Sequence, residues 1–249
     1  MIEKNMKMAD VIYLDYHLLP LINRFGIQLG FGDATVEDVC QRNGVNVDFF
    51  VEIMNAFYNK SYFPKRKLQA FPVDLIVDYL KKTHQYYITV KVPEIEALVV
   101  KMAEESSLEK EIQLALIKFY SDYKKELFAH IEREEEQIYP YVQKLNRTIK
   151  LDNVEQEEVK ELLCYSILKY REEHDDIEEK LFDLKNIIIK YLPPQKDYNL
   201  CNNILMELFD LEKDLNDHSR IEDLIMVPMV AQMEQELREK HKINPSSYE

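Results

Sequence analysis

Residues 112–138 read IQLALIKFYSDYKKELFAHIEREEEQI, and one stripe of mostly apolar side chains runs along the whole stretch. The stripe recurs at steps of three and four residues, which is the spacing of the packed face of a long bundle helix. Near its end it carries His130 and Glu134, where apolar residues would be expected. The full stripe is Ile112, Leu116, Phe119, Tyr123, Leu127, His130, Glu134 and Ile138. This stretch predicts a long amphipathic helix with polar groups on its inward face.

Three further stretches, residues 72–102, 154–192 and 195–240, carry the same periodicity, and each places a histidine on its apolar stripe. The four histidines are separated by 46 (130−84), 44 (174−130) and 44 (218−174) residues. A long helix and a short turn together take about 44 residues, so each helix would present one histidine at a similar depth. The sequence therefore predicts an all-α fold in which residues 70–240 form an up-down-up-down four-helix bundle. The histidines are His84, His130, His174 and His218.

The first 65 residues have a different character, with short segments and all four glycines, three of them within residues 26–32. Thr35 followed by Asp38 is typical of a helix start, and Asn43-Gly44 is typical of a turn. Residues 47–58 predict another helix. We therefore predict a small helical N-terminal domain over residues 1–65, ending in the basic, proline-containing stretch of residues 62–67.

Two of the four histidines are followed by a glutamate one helical turn later, as His130/Glu134 and His218/Glu222. One such pair is usually a solvent-exposed contact on a helix surface. Here both glutamates lie on apolar stripes, and a carboxylate in a core costs several kcal/mol unless a positive charge compensates it. We therefore predict a metal centre built from six residues: His84, His130, Glu134, His174, His218 and Glu222.

The donor types select the metal. Structural zinc sites prefer four ligands with cysteine and histidine, and calcium or magnesium prefer oxygen ligands. Mixed histidine and carboxylate ligands inside a helical bundle suit iron or manganese. We predict two non-haem iron ions, each with two imidazoles, bridged by both carboxylates and by an oxo or hydroxo group.

Several other polar residues lie close to this set. Glu135 adjoins Glu134 but points about 100° away on a helix, so we expect it beside the ligands or in solvent. Tyrosines on the stripes are expected either to pack in the core or to donate hydrogen bonds to ligands. They are Tyr79, Tyr87, Tyr123 and Tyr170.

Composition limits the class of protein. The formal charge of −14 argues against nucleic-acid binding. The three cysteines lack a CxxC spacing and are odd in number, which favours a reducing compartment over a disulfide framework. We find neither a signal peptide nor an apolar run of about 20 residues. These features predict a cytoplasmic protein that does not insert into membranes.

The ligand series resembles that of hemerythrin-like di-iron proteins, and within them the family involved in the repair of iron centres. The resemblance rests on His84, residues 130–140 (HIEREEEQIYP), His174 and residues 218–222 (HSRIE). Oxygen-carrying hemerythrins are less similar, because they use a fifth histidine and an HxxxD motif. Residues 25–32 (FGIQLGFG) and 35–40 (TVEDVC) are similar to the family's N-terminal domain, but Gly30-Phe31 replaces the usual Cys-Cys pair.

The resemblance implies that the six residues bind two irons, with Glu134 and Glu222 bridging. It also implies a role in repairing iron–sulfur clusters damaged by nitric oxide or peroxide. We hypothesise that the protein does so by donating iron to iron–sulfur client proteins, because histidine and glutamate ligands without thiolates leave iron exchangeable. Two alternatives use the same centre: a reductase of nitric oxide or peroxide, and a module that senses O₂ or NO. The sequence does not choose among them, and whether the protein forms a homodimer stays open.

Overall fold

The computed structural model describes residues 1–105, 109–151, 153–172, 177–192 and 198–243. These residues form helices joined by turns, with no β-strand among them. The all-α prediction is therefore confirmed for the part of the chain that is described.

The N-terminal part contains five short helices and one 3₁₀ turn at Tyr16–Leu18. Thr35 and Asp38 form a reciprocal capping box at the start of the third helix, as the sequence predicts. Gly44 turns the chain with a φ of 67°, a conformation that glycine adopts without strain. The helices are α1 (Met8–Leu14), α2 (Leu19–Arg24), α3 (Val36–Arg42), α4 (Val47–Tyr58) and α5 (Lys65–Leu68).

The remaining helices form the long segments that the periodicity predicts. Within its described residues, each long segment contains one π-helical turn, at Tyr87–Lys91, Glu134–Ile138, Ile187–Tyr191 and Glu222–Met226. The helices are α6 (Val73–Tyr86), α7 (Val92–Glu105), α8 (Lys110–Arg133), α9 (Tyr139–Ile149), α10 (Gln156–Leu163), α11 (Ile167–Glu172), α12 (Ile177–Asn186), α13 (Tyr198–Ile221) and α14 (Val227–His241).

Three of the π turns have a common sequence cause. A proline stands six residues after the first residue of the turn, and the helix continues through it, at Pro93, Pro140 and Pro228. Proline has no N–H to donate, and its ring collides with the carbonyl four residues earlier. A helix that takes up one extra residue before the proline avoids the collision, which is the geometry of a π turn.

The third long segment differs from its prediction. Its stripe predicts one continuous helix over residues 154–192, whereas the structure has a break between α10 and α11 at Cys164, Tyr165 and Ser166. The break is stabilised by the buried carboxylate of Glu234, which accepts a hydrogen bond of 2.7 Å from the N–H of Ile167. A cap from another helix therefore overrides the local periodicity.

Two apolar clusters lie on either side of the region that holds the predicted ligands. Helices α7, α8, α12 and α13 contribute to one cluster, in which α7 and α12 each pack against both α8 and α13. The other cluster contains residues of α6, α9, α10, α11 and α14 together with the N-terminal helices. Phe49 and Tyr79 meet within it, with ring centroids 6.1 Å apart. The N-terminal part thus shares an apolar core with α6, α9, α10, α11 and α14. The predicted domain boundary at residue 65 stays a prediction.

Among the described residues, no helix combines the length and the apolar character that crossing a membrane requires.

Candidate metal centre

Four predicted ligands meet between the two apolar clusters: His84, Glu134, His218 and Glu222. One donor atom from each lies within 4.8 Å of the others. The residues are almost completely buried, with exposed fractions of 2%, 0%, 4% and 0% in that order. His84 is near the end of α6 and His218 near the end of α13, and each glutamate is the first residue of a π turn. π turns often occur at functional sites, where they reorient a side chain.

The donor atoms point towards one another. Nε2 of His84 lies 3.0 Å from Nε2 of His218 and 3.2 Å from Oε2 of Glu134. Nε2 of His218 lies 3.5 Å from Oε1 of Glu222. Two imidazole nitrogens and two carboxylates therefore converge on a single buried volume.

His130 extends this group. Its Nε2 atom lies 3.1 Å from Oε1 of Glu134, and its side chain is 13% exposed. The fourth predicted histidine, His174, lies outside the described residues. The structure thus brings five of the six predicted ligands into one contiguous group.

Each carboxylate of the group accepts a hydrogen bond from a buried tyrosine. Tyr170 donates to Oε1 of Glu134, and Tyr139 donates to Oε1 of Glu222 at 2.8 Å. Burial and the nearby charges of the glutamates raise the pKa of Tyr139 well above its ordinary value, so it remains a proton donor. Tyr170 was expected either to pack or to donate. Tyr139 was not predicted, although it stands directly before Pro140 and immediately follows the π turn that begins at Glu134.

Glu135 supports His84 from the opposite side of the imidazole ring. Its Oε1 atom lies 3.1 Å from Nδ1 of His84, and its Oε2 atom lies 3.4 Å from Nζ of Lys81. Burial works against the charged carboxylate, but His84 and Lys81 outweigh it and lower the pKa of Glu135. Of the two expected positions for Glu135, the structure selects the one beside the ligands. A carboxylate behind a metal-binding imidazole fixes its orientation and tautomer.

The other three tyrosines of the stripes are core residues. Tyr79 and Tyr123 are buried in the two apolar clusters. Tyr87 is also buried, and its ring lies edge-on to the ring of His218 with centroids 5.9 Å apart. Neither Tyr79 nor Tyr87 makes a hydrogen bond to a predicted ligand among the bonds described.

The electrostatics of the group call for a cation. Burial disfavours a charge on His84, but hydrogen bonds and charges from Glu134 and Glu135 outweigh it and raise the pKa of His84 to about 9. A proton on His84 can therefore supply positive charge at neutral pH. Two N–H groups cannot face each other across the 3.0 Å between His84 and His218, so protons alone compensate the carboxylates poorly. The residues therefore fit a bound metal cation.

The donor atoms are nitrogen and oxygen. The three cysteines lie elsewhere: Cys40 is buried in α3, Cys164 is exposed and Cys201 is partly exposed in α13. An imidazole and carboxylate donor set without thiolate suits iron or manganese better than a structural zinc ion.

No protein-family model matches the chain, and a search of curated proteins finds no relative. The resemblance to hemerythrin-like proteins therefore stays a prediction from the sequence.

Proposed function

We propose that the protein is a hemerythrin-like di-iron protein whose long segments form an up-down-up-down four-helix bundle. The packing of α7 and α12, each against both α8 and α13, supports a ring of four neighbouring helices. The short connections between successive segments favour antiparallel neighbours.

The proposed iron ligands are His84, His130, Glu134, His174, His218 and Glu222. The buried convergence of His84, Glu134, His218 and Glu222 within 4.8 Å carries this proposal. His130 joins the group through Glu134, while His174 is included on its sequence spacing alone. Two carboxylates and several imidazoles provide enough donors for two ions rather than one.

The proposed role is the repair of iron–sulfur clusters damaged by nitrosative or oxidative stress, through donation of iron to client proteins. When bound, two irons would supply an exchangeable pool of metal and positions for NO or O₂. The protein residues would hold that pool without thiolates, which bind soft metal ions and clusters more persistently. Tyr139, Tyr170 and Glu135 would fix the orientations of Glu222, Glu134 and His84.

The first test is metal content and absorption spectrum of the protein purified without added metal. We expect about two irons per chain and near-ultraviolet absorption that bleaches on reduction. Glu134→Gln and Glu222→Gln should each lower the iron content. Glu136→Gln, at an exposed position two residues after Glu134, is the matched control and should leave it unchanged. One zinc ion, or no metal, would contradict the proposal.

A second experiment separates the three candidate roles. The iron-loaded protein is incubated anaerobically with a dehydratase whose iron–sulfur cluster has been damaged, and both dehydratase activity and the iron remaining on the protein are measured. Iron donation predicts recovery of activity with matching loss of iron. Turnover of NO with an added reductant and no loss of iron would favour the reductase, and reversible NO or O₂ binding alone would favour the sensor.

A further inference from the structure

The N-terminal part of the chain contacts the fourth long segment at two points, one before His218 and one after Glu222. We propose that Arg24 and Gln69 are positioning residues for His218 and Glu222, so that residues 1–69 set the metal affinity of the centre. This inference rests on the proposed metal centre and adds to it a means of control that lies outside the ligands.

Arg24 holds the side of the segment that precedes His218. Its Nη1 atom donates to Oδ1 of Asp214 at 3.1 Å, and its Nη2 atom contacts Oδ2 of the same carboxylate. The Arg24 side chain is 2% exposed and that of Asp214 is 18% exposed. Asp214 lies one helical turn before His218 on α13, so a two-point contact there fixes both the rotation and the height of the turn that carries the ligand.

Arg24 also reaches His218 through an aromatic ring. Its guanidinium carbon lies 4.5 Å from the ring centroid of Tyr86 and 5.6 Å from that of Tyr87. The ring of Tyr87 in turn stands edge-on to the imidazole of His218, with centroids 5.9 Å apart. Arg24 therefore constrains His218 both through its helix and through a ring against which it packs.

Gln69 holds the side of the segment that carries Glu222. Its Nε2 atom donates to the carbonyl of Leu224 at 3.0 Å. Leu224 lies inside the π turn Glu222–Met226, where the regular α-helical pattern of hydrogen bonds is interrupted. A side-chain amide that satisfies a carbonyl in this turn stabilises the conformation that presents Glu222. Nearby, the guanidinium of Arg220, two residues before the turn, lies 4.5 Å from the ring centroid of Phe63, which adds a second contact between the N-terminal part and this segment.

The two contacts come from separate places in the N-terminal part, the end of α2 and the stretch after α5. They reach the segment at positions 214 and 224, which enclose both His218 and Glu222. Among the contacts described, neither Arg24 nor Gln69 touches a proposed ligand. Changing them should therefore alter the affinity of the centre while leaving its donor atoms in place.

The test uses Arg24→Lys and Gln69→Leu in the full-length chain. Arg24→Lys keeps the charge but loses the two-point contact, and Gln69→Leu keeps the size but loses the donor. The matched controls are Arg42→Lys and Gln41→Leu, at exposed positions in the same part of the chain. Binding of Co²⁺ is followed by its visible d–d absorption, and amide hydrogen exchange of the metal-free proteins is measured by mass spectrometry.

We expect each test variant to bind Co²⁺ about 10-fold more weakly, the lower end of the effect of residues that orient metal ligands. The same number of ions should bind, with a changed d–d spectrum. Amide exchange in the metal-free variants should rise locally, around residues 214–227. Both controls should match the unaltered protein.

The Co²⁺ affinity and the amide exchange together distinguish failure of this inference from failure of the proposed metal centre. Unchanged affinity and exchange in both test variants would overturn the inference, and so would faster exchange throughout the chain with no local maximum, which indicates a general loss of stability. If the unaltered protein binds no Co²⁺, the proposed metal centre fails. In that case the exchange data still decide whether Arg24 and Gln69 hold residues 214–227.

Discussion

Tyr139 donates its phenol hydrogen to Oε1 of Glu222 at 2.8 Å, so the residue that follows one π turn supports the residue that begins another. The second carboxylate is supported in the same way, because Tyr170 donates to Oε1 of Glu134. Each glutamate thus has one oxygen fixed by a buried phenol. The phenols restrict how the carboxylates can rotate, which would orient them for the proposed metal ions.

Replacing Tyr139 with phenylalanine removes this hydrogen bond while keeping the ring. Glu222 is completely buried and would lose its phenol donor, so we expect the metal-free protein to be destabilised by about 2 kcal/mol. We also expect metal affinity to fall at least 10-fold, since a residue that orients a ligand is lost. Urea unfolding of the metal-free protein and a metal titration measure the two effects.

Tyr120→Phe is the matched control. Tyr120 is equally buried and donates at 2.8 Å to the carbonyl of Val92, within the apolar cluster of α7, α8, α12 and α13. Its loss should cost about 1 kcal/mol of stability and leave metal affinity unchanged. If the two variants weaken metal binding equally, Tyr139 acts through general stability rather than through Glu222.

Glu135→Gln tests the support of His84. The amide keeps the shape but removes the negative charge 3.1 Å from Nδ1 of His84, so the imidazole becomes a weaker ligand. We expect metal affinity to fall by about 10-fold, and we expect Glu134→Gln to be more damaging because it changes a proposed ligand. A metal titration of both variants, with exposed Glu136→Gln as control, measures which of the two changes weakens metal binding more. Equal effects of the changes at 134 and 135 would mean that the helix face has been assigned wrongly.

The sequence predicted the parts of this site that follow from periodicity. Histidines and glutamates on apolar stripes indicated buried ligands, and five of the six lie together. The helix over residues 47–58 and the cap at Thr35 were also predicted, because both depend on short-range signals.

The parts that the sequence did not predict depend on contacts between distant residues. Glu234 caps the break in the third segment, although it lies 67 residues after Ile167 in the sequence. Arg24 binds Asp214, which lies 190 residues later in the sequence. Neither contact leaves a local pattern. Three of the π turns are a different case, because Pro93, Pro140 and Pro228, each six residues after the first residue of its turn, were visible in the sequence. The helix geometry that these prolines impose was not predicted.

Pro140→Ala tests whether the proline maintains the π turn that begins at Glu134. Alanine restores an N–H and removes the ring, and the preference for alanine within a helix is worth about 3 kcal/mol. We expect thermal stability of the metal-free protein to stay the same or rise, whereas metal affinity falls because a regular helix would rotate Glu134 relative to Tyr139. Calorimetry and a metal titration give the two values.

Pro20→Ala provides the comparison. Pro20 lies in the first turn of α2, where a missing N–H costs little, and it is remote from the ligands in sequence. It should change neither quantity appreciably. Unchanged metal affinity in Pro140→Ala would show that the turn at Glu134 persists without the proline.

Glu234 is a buried acid that caps the start of α11 and is not one of the proposed metal ligands. It is 2% exposed and accepts hydrogen bonds from the N–H of Ile167 at 2.7 Å and from the hydroxyl of Tyr141 at 2.8 Å. Glu234→Ala removes a helix cap and leaves the partly buried hydroxyl of Tyr141 with the more distant carbonyl of Tyr165, at 3.3 Å, as its acceptor, so we expect a loss of roughly 2 kcal/mol. Glu234→Gln retains an oxygen for Ile167 and should lose roughly 1 kcal/mol.

Loss of the cap at Glu234 should also affect the proposed metal centre. Helix α11 carries Tyr170, three residues after Ile167, and Tyr170 donates a hydrogen bond to Glu134. In Glu234→Ala we therefore expect weaker metal binding as well as lower stability in urea, with Glu234→Gln intermediate in both. Glu236→Ala, two residues further along α14 at an exposed position, should match the unaltered protein. If Glu234→Ala loses stability but binds metal with full affinity, Tyr170 keeps its hydrogen bond to Glu134 without the cap, and the break before α11 has no bearing on the site.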